Sequence, residues 1–418
     1  MKTVSFGKLS KNNKQALVLY GATLIGILLG VISSVINTRF IPPSDYGDVR
    51  YVQNIINFTA SLLLFGYFLS GSRLLALSND EDRSRRIRGV MVIILGITSA
   101  VLVLSCVLCY GLHSNKPDIA KLFIISIPVC FNPLFLNYIN TTAQGDNHIY
   151  RLSFARCLPA FLYVVLAYII YSSYGATASR MIILQWGIPT IIYTCIIVST
   201  KPRFVELYPI YKNLKTENKS YGFQLYIGSL VMVATNYLAG ISLGVFNSDN
   251  TEVGFYTLAL TITSPLATLP AIIGTTYFKQ FATQPKIPTK VLYATLILMT
   301  CSCLMFIVFI KPIVNLLYSE QYAQVGAYAS WLAVGFSIHG FGDMLNRYLG
   351  SHGKGKMIRN ASVTNGVFKI LGFTLLVYLF NTIGAIITVI ICDCVYTGVL
   401  LYYYLSFIKN NELLRSQL

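Results

Sequence analysis

Seven residues of this chain have side chains suited to carrying protons or gripping an anion, and all lie within or beside long apolar stretches. Lys369 and Asp393 stand in two consecutive apolar segments, where a charge at a bilayer centre would cost about 2.5–3.5 kcal/mol. A hairpin centred near residue 381 puts both about 17–19 Å from its tip. That common depth leaves two arrangements open, an ion pair or two groups sharing one polar cavity. His339 and Asp343, with Arg347, follow an i, i+4, i+8 spacing and line one helix face. Histidine is the side chain whose ordinary pKa lies in the physiological window, so His339, Asp343 and Asp393 are the coupling candidates. Asp343 and Arg347 are also spaced for a salt bridge. Arg39, Arg73 and Arg156 flank apolar segments, and arginine can hold a phosphate with two parallel hydrogen bonds. With Lys369 they are the substrate-cavity candidates.

The elements that must position these groups are helices. Twelve stretches of roughly 18–27 mostly apolar residues are each long enough to cross a bilayer core of ~30 Å. They fall at 15–37, 51–72, 89–112, 119–141, 155–173, 180–199, 222–246, 253–277, 291–310, 325–349, 361–380 and 383–408. Charged residues are only 11% and hydrophobic ones 55% of the 418 residues, unlike a soluble domain. Counting the segment ends that adjoin them, the N-terminus, the even-numbered connections and the C-terminal tail hold 25 of the 32 Lys and Arg, and the odd-numbered connections hold six. By the positive-inside rule both termini are then cytoplasmic. The net charge of +17 reads as topology against anionic headgroups, with no partner nucleic acid. The lysines at 2, 8, 11 and 14 precede an apolar segment too long for a cleaved signal, which is therefore read as an uncleaved first helix.

Other motifs carry less. The nine cysteines sit in or at the edge of apolar segments without a histidine cluster, so they read as packing residues; no metal and no cofactor is expected. GSHGKGKM at 350–357 nearly spells a P-loop, but Met357 stands where the Mg²⁺-binding hydroxyl belongs and a helix precedes it in place of a strand. Prolines at 128, 133, 159, 189, 265 and 270 lie inside apolar segments, where each removes a backbone hydrogen bond and bends its helix.

The chain divides into a first bundle, 1–200, a basic cytoplasmic linker, 201–221, and a second bundle, 222–418. Two motifs recur between the halves. Asp45-Tyr46-Gly47 matches Glu252-Val253-Gly254 at an offset of 207 residues, and QGDNHIYR at 144–151 matches HGKGKMIR at 352–359 at an offset of 208. Six helices per half gives a parallel repeat, as in rocking transporters.

The segments TRFIPPSDYGDVRYVQNI, NSDNTEVGFYTLALTITSPLATLP and LLYSEQYAQVGAYASWLAVGF resemble the polysaccharide transporter family, the O-antigen and capsule flippases. That family lies within the multidrug/oligosaccharidyl-lipid/polysaccharide exporter superfamily. The resemblance implies an all-α membrane protein of about 12 transmembrane helices in two six-helix bundles, V-shaped with a central cavity. It implies a bacterial inner-membrane flippase moving undecaprenyl-pyrophosphate-linked oligosaccharide, the O-antigen repeat unit. The repeat suits alternating access, and without an ATPase motif the energy is expected from an ion gradient, with a partner or the substrate gradient as alternatives. Its partners would be the lipid-linked substrate, membrane lipids, and the polymerase and chain-length regulator of the same pathway. Many members carry an acidic residue in the seventh helix; here Asn236 and Tyr237 stand there, so no cation site is expected at that position. Two other functions compete. One is a cation-coupled multidrug exporter of the same superfamily. The other is a polytopic O-antigen polymerase, which generally needs a larger outer loop than the roughly 14 residues of the longest odd-numbered connection. A lipid II flippase would usually be longer, with two further helices.

Overall fold

A computed structural model describes residues 11–146 and 148–416; Lys2, Lys8 and Asn147 lie outside them. The described chain is built of helices. In the first half they are α1 (Lys11–Phe40), α2 (Pro43–Leu62), α3 (Tyr67–Ala76), α4 (Glu81–Leu112), α5 (Pro117–Ser126), α6 (Asn132–Gly145), α7 (Ile149–Tyr174), α8 (Ala178–Ser199) and α9 (Leu207–Glu217). The second half holds α10 (Phe223–Phe246), α11 (Thr251–Thr263), α12 (Pro265–Thr276), α13 (Phe278–Phe281), α14 (Thr289–Leu317), α15 (Gln324–Ser351) and α16 (Gly355–Ser416). Eight helical stretches among the described residues are long and apolar enough to cross a membrane, or nine if one bent pair counts as a span. The protein is an all-α, multi-pass membrane protein.

Each of the twelve expected segments is helical, but three are interrupted. Residues 51–72 do not form one straight rod: α2 and α3 meet at 59°. No proline causes that break. Phe65 (φ 45°) and Gly66 (φ 78°) take left-handed conformations there, which end one helix and start the next at a new angle. The segment 119–141 is split into α5, a 3₁₀ turn over Ile127–Val129 and α6, with Pro128 and Pro133 at the joints. Residues 253–277 divide at Pro265, the first residue of α12. Pro159 and Pro189, by contrast, lie inside continuous helices. α16 reverses at Asn381 (φ 49°, ψ −130°), at the expected hairpin centre.

The described helices group into two compact units, residues 11–41 with 52–230 and residues 42–51 with 231–416. The division falls inside α10, past the expected boundary at 221. The linker is an ordered part of the first unit. α9 buries Ile210 and Leu214 and exposes Tyr208, and its surroundings are pinned by ion pairs Arg73–Glu217 (2.6 Å), Arg86–Glu206 (2.6 Å) and Arg203–Asp82.

In the second unit the two copies of the Gly-containing turn meet. A Cβ on Gly47 would overlap the carbonyl oxygen of Asn250, and one on Gly254 would lie 3.0 Å from Pro43 O and 3.2 Å from Gly47 N. Only glycine lets these helix starts approach so closely. Asn250 Nδ2 donates to Asp48 Oδ1 at 2.7 Å across the same contact, and Tyr46 packs edge-on against Tyr322.

Candidate functional site

The second unit encloses a polar cavity of about 570 Å³, within the ~300–1,000 Å³ range of small-molecule sites. α15 contributes its His339–Asp343–Asn346 face, α11 contributes Tyr256, Thr257 and Thr261, and α10 contributes Asn236. The two arms of α16 contribute Asn365 and Lys369 before the reversal and Asp393 and Tyr396 after it. Lys369 and Asp393 each lie 12 residues from Asn381, so both sit about 18 Å from the turn.

The centre of the site is a histidine between two carboxylates. His339 Nδ1 lies 2.9 Å from Asp393 Oδ1, while Nε2 is 3.9 Å from Asp343 Oδ2. The first distance is a hydrogen bond and the second is too long for one. Asp393 is buried, only 4% exposed, and a Cβ on Gly335 would stand 3.2 Å from its Oδ2. The bare glycine thus gives the carboxylate its room beside α15. The Tyr396 ring stacks on His339 at 4.9 Å and 18°. Its hydroxyl donates to Asp343 Oδ1 (3.2 Å) and accepts from Asn346 Nδ2 (2.8 Å). His339, Asp343 and Tyr396 therefore form a connected acid–base cluster facing the cavity. A proton on His339 makes an imidazolium flanked by two carboxylates; its loss leaves a neutral ring whose Nδ1–H still donates to Asp393.

Lys369 does not pair with Asp393. Its Nζ donates to Asn236 Oδ1 at 3.1 Å, and the two charges share the cavity as separate groups. Asn236 thus enters the site as an acceptor for an internal ammonium. The Asp343–Arg347 bridge allowed by spacing does not form among the described residues; Arg347 is exposed, and Asp343 turns to Tyr396 and His339.

The three arginines are not gathered into one pocket. Arg156 Nη1 donates to Thr23 Oγ1 at 2.9 Å, two turns into α7. Arg39 lies in the last turn of α1, 16 residues beyond Thr23 and so about 24 Å farther along that helix. Arg73 is in the last turn of α3, bridged to Glu217 at 2.6 Å and stacked over the Tyr221 ring at 4.7 Å. Arg73 and Arg156 therefore hold separate partners in the first unit, and Arg39 lies far along α1 from the Thr23 that Arg156 bonds.

Sequence reasoning missed Tyr396, Asn346, Asn365 and the acceptor role of Asn236. Two of them carried a signal, since Asn346 lies at i+7 from His339 and Tyr396 at i+3 from Asp393, on the faces already marked. It also missed Arg88, 4% exposed in the first unit, which bridges Asp146 (3.0 Å) and Glu81 (3.1 Å) and donates to Thr200 O (3.1 Å). That makes Asp146, in the QGDNHIYR motif, the buried counter-ion joining the α6–α7 turn to α4.

The fold is that of known membrane transporters. A structure titled lipid II flippase MurJ, inward closed conformation, superposes with a TM-score of 0.74 at 13% identity, over 95% of this chain and 91% of that one. An inward-facing multidrug resistance MATE family transporter of the MOP superfamily gives 0.67 at 14% identity, over 92% and 95%. An outward-facing one gives 0.62 at 15%, over 98% and 99%. No curated protein matches the chain by sequence. The sequence pattern of the family described as "Polysaccharide biosynthesis protein" matches residues 13–278. With well over half of its length matched, the chain belongs to the polysaccharide biosynthesis protein family.

Proposed function

We propose that this protein is a flippase carrying an undecaprenyl-pyrophosphate-linked oligosaccharide, of the O-antigen repeat-unit kind, from the cytoplasmic to the periplasmic leaflet by alternating access. The observation that carries the reading is the cavity of the second unit: a lysine, a histidine, two carboxylates and several amides inside a shell of apolar helices. Groups so costly to place at membrane depth are kept for a polar cargo or for protons. Family membership and the flippase and transporter folds support a membrane carrier of this class.

In this reading Lys369 meets an anionic or hydroxyl-rich part of the cargo, and the asparagines and tyrosines supply hydrogen bonds for sugar hydroxyls. Arg39, Arg73 and Arg156 serve the diphosphate along its route. His339 is the proton carrier, Asp393 orients it and Asp343 stabilises the imidazolium through the facing nitrogen. Protons moving inward down their gradient drive cargo outward. The basic connections face the cytoplasm, as the charge asymmetry requires, and the pathway's polymerase and chain-length regulator receive the product. The chain does no chemistry on its cargo. The folds of the two drug transporters favour one alternative, a cation-coupled multidrug exporter. Length does little to set the protein apart from a lipid II flippase, 91% of which it covers.

The test is deletion of the gene in its host, with surface polysaccharide followed on gels and lipid-linked repeat units by extraction. Loss of surface polymer with undecaprenyl-linked units trapped on the cytoplasmic side is expected. Normal surface polymer with reduced efflux of cationic dyes would instead make the protein a drug exporter.

A further inference from the structure

The first unit carries a second concave surface, on the outside of the bundle and far in character from the polar cavity. Between α7 and α8 lies a groove of about 590 Å³ with almost wholly apolar walls. Tyr150, Phe154 and Leu158 form one wall at i, i+4, i+8 along α7. Ile191, Cys195 and Ser199 repeat that spacing along antiparallel α8. The opposite wall is low where Cys195 and Ser199 replace large side chains, and this difference makes the surface concave. Eight residues of helix give the groove a length of about 12 Å. Tyr150, Phe154 and Ile191 are each more than half exposed, so the groove lies on the exposed surface of the first unit and not in its packed interior.

One end of this apolar trough is cationic. Arg151, in the first turn of α7, lines the groove and makes no ion pair among the described residues. The nearby carboxylate of Asp146 is already bonded to Arg88 at 3.0 Å. Lys201 follows two residues after Ser199 and is exposed, adding a second positive charge at the same rim. A basic pocket between transmembrane helices at the membrane surface is suited to an anionic headgroup, and arginine can hold a phosphate oxygen pair with its planar fork.

We infer that the α7–α8 groove is a docking site for an anionic phospholipid of the surrounding leaflet, its phosphodiester at Arg151 and one acyl chain along Phe154, Leu158 and Cys195. Arg151 in the lining can pair with the phosphodiester of a phosphatidylglycerol, and Lys201 at the rim adds attraction for its anionic headgroup. A zwitterionic headgroup would bring its own cation against Arg151 and Lys201. The inference requires only that this end of the unit lie at a membrane surface, and it stands whether or not the cargo assignment is right.

The full-length protein, reconstituted in phosphatidylcholine vesicles doped with phosphatidylglycerol bearing a diazirine on one acyl chain, is photolysed and its adducts are mapped by mass spectrometry. Exposed Ile297, Leu304 and Val308 of apolar α14 serve as the internal reference, and the melting curve of each variant reports that it is folded. Adducts on 150–158 and 191–199 are expected to exceed the reference about five-fold, roughly the worth of one cation near the surface. Arg151→Gln is expected to remove that excess, Arg151→Lys to retain most of it, and Cys195→Trp to abolish it by filling the trough. Labelling no higher than on α14, equal labelling by a phosphatidylcholine analogue, or an excess that survives Arg151→Gln or Cys195→Trp would overturn the site. Displacement of the label by an equimolar polyprenyl diphosphate would overturn the phospholipid assignment and give the groove to that lipid.

Discussion

His339 and Asp393, 54 residues apart in sequence, meet through a 2.9 Å contact between Nδ1 and Oδ1 in a cavity walled by apolar helices. Because the carboxylate takes Nδ1–H, the opposite nitrogen faces Asp343 and is the one that can gain or lose a proton. Asp393→Asn keeps an acceptor for Nδ1–H but removes the charge that balances an imidazolium. The expected result is a folded protein, destabilised by about 1 kcal/mol, the scale of a polar contact between membrane helices, with gradient-driven export lost. Thermal unfolding in detergent and transport into vesicles with an imposed pH gradient measure the two effects separately. His339→Gln should behave alike and make the residual transport indifferent to an uncoupler.

Lys369 is anchored to Asn236 and not to a carboxylate, so its charge is available to an incoming anion. Lys369→Met keeps much of the side-chain length without the ammonium. Binding of a lipid-diphosphate oligosaccharide should weaken about tenfold or more, in line with losing a hydrogen bond from a charged group, while Asn236→Ala should weaken it less. Unchanged binding by Lys369→Met in a titration would remove the lysine from the cargo site.

Arg88 and Asp146 form an ion pair whose members are 4% and 7% exposed. Removing one partner leaves the other charge buried, at a cost of about 3–5 kcal/mol. Arg88→Met should sharply reduce the yield and melting temperature of folded protein, and Asp146→Leu should do so less, because Arg88 keeps its bridge to Glu81. The double variant should recover part of the loss, since no buried charge is left without its counterpart.

Gly47 and Gly254 differ in how much room they leave. A methyl on Gly47 would collide with the backbone oxygen of Asn250, which cannot swing aside, whereas the contacts of Gly254 start at 3.0 Å. Gly47→Ala should therefore cost more than Gly254→Ala, with the latter near the ~1–3 kcal/mol of an overpacked site. Melting curves of the two single variants give the order directly.

Much of this architecture was legible in the chain because membrane helices are dictated by local composition. The polar face of α15 follows from spacing, and the equal depth of Lys369 and Asp393 follows from counting away from Asn381. What could not be read is the choice of partner. Lys369 takes Asn236, 133 residues away, and Asp343 takes Tyr396 in preference to Arg347, one turn along its own helix. Both choices depend on helix rotation about the long axis, which hydropathy leaves undetermined. The α2–α3 bend was hidden for a different reason. It is made by backbone dihedrals at Phe65 and Gly66 within a run that stays apolar, so neither proline nor polarity marks it. The three arginines were alike in sequence as residues flanking apolar segments, yet Arg156 is bonded to Thr23, Arg73 is bridged to Glu217, and Arg39 lies about 24 Å along α1 from Thr23.

The meeting of the two Gly-containing turns bears on how this chain can change over generations. A duplicated segment ordinarily gains freedom, because each copy can drift while the other keeps the original job. Here Asp45-Tyr46-Gly47 and Glu252-Val253-Gly254 are each other's surface, so a bulkier residue in either is felt by both. The ancestral repeat should stay most recognisable at this junction and fade fastest on the faces turned to lipid. A half-length ancestor would have needed to make the same contact with a second copy of itself.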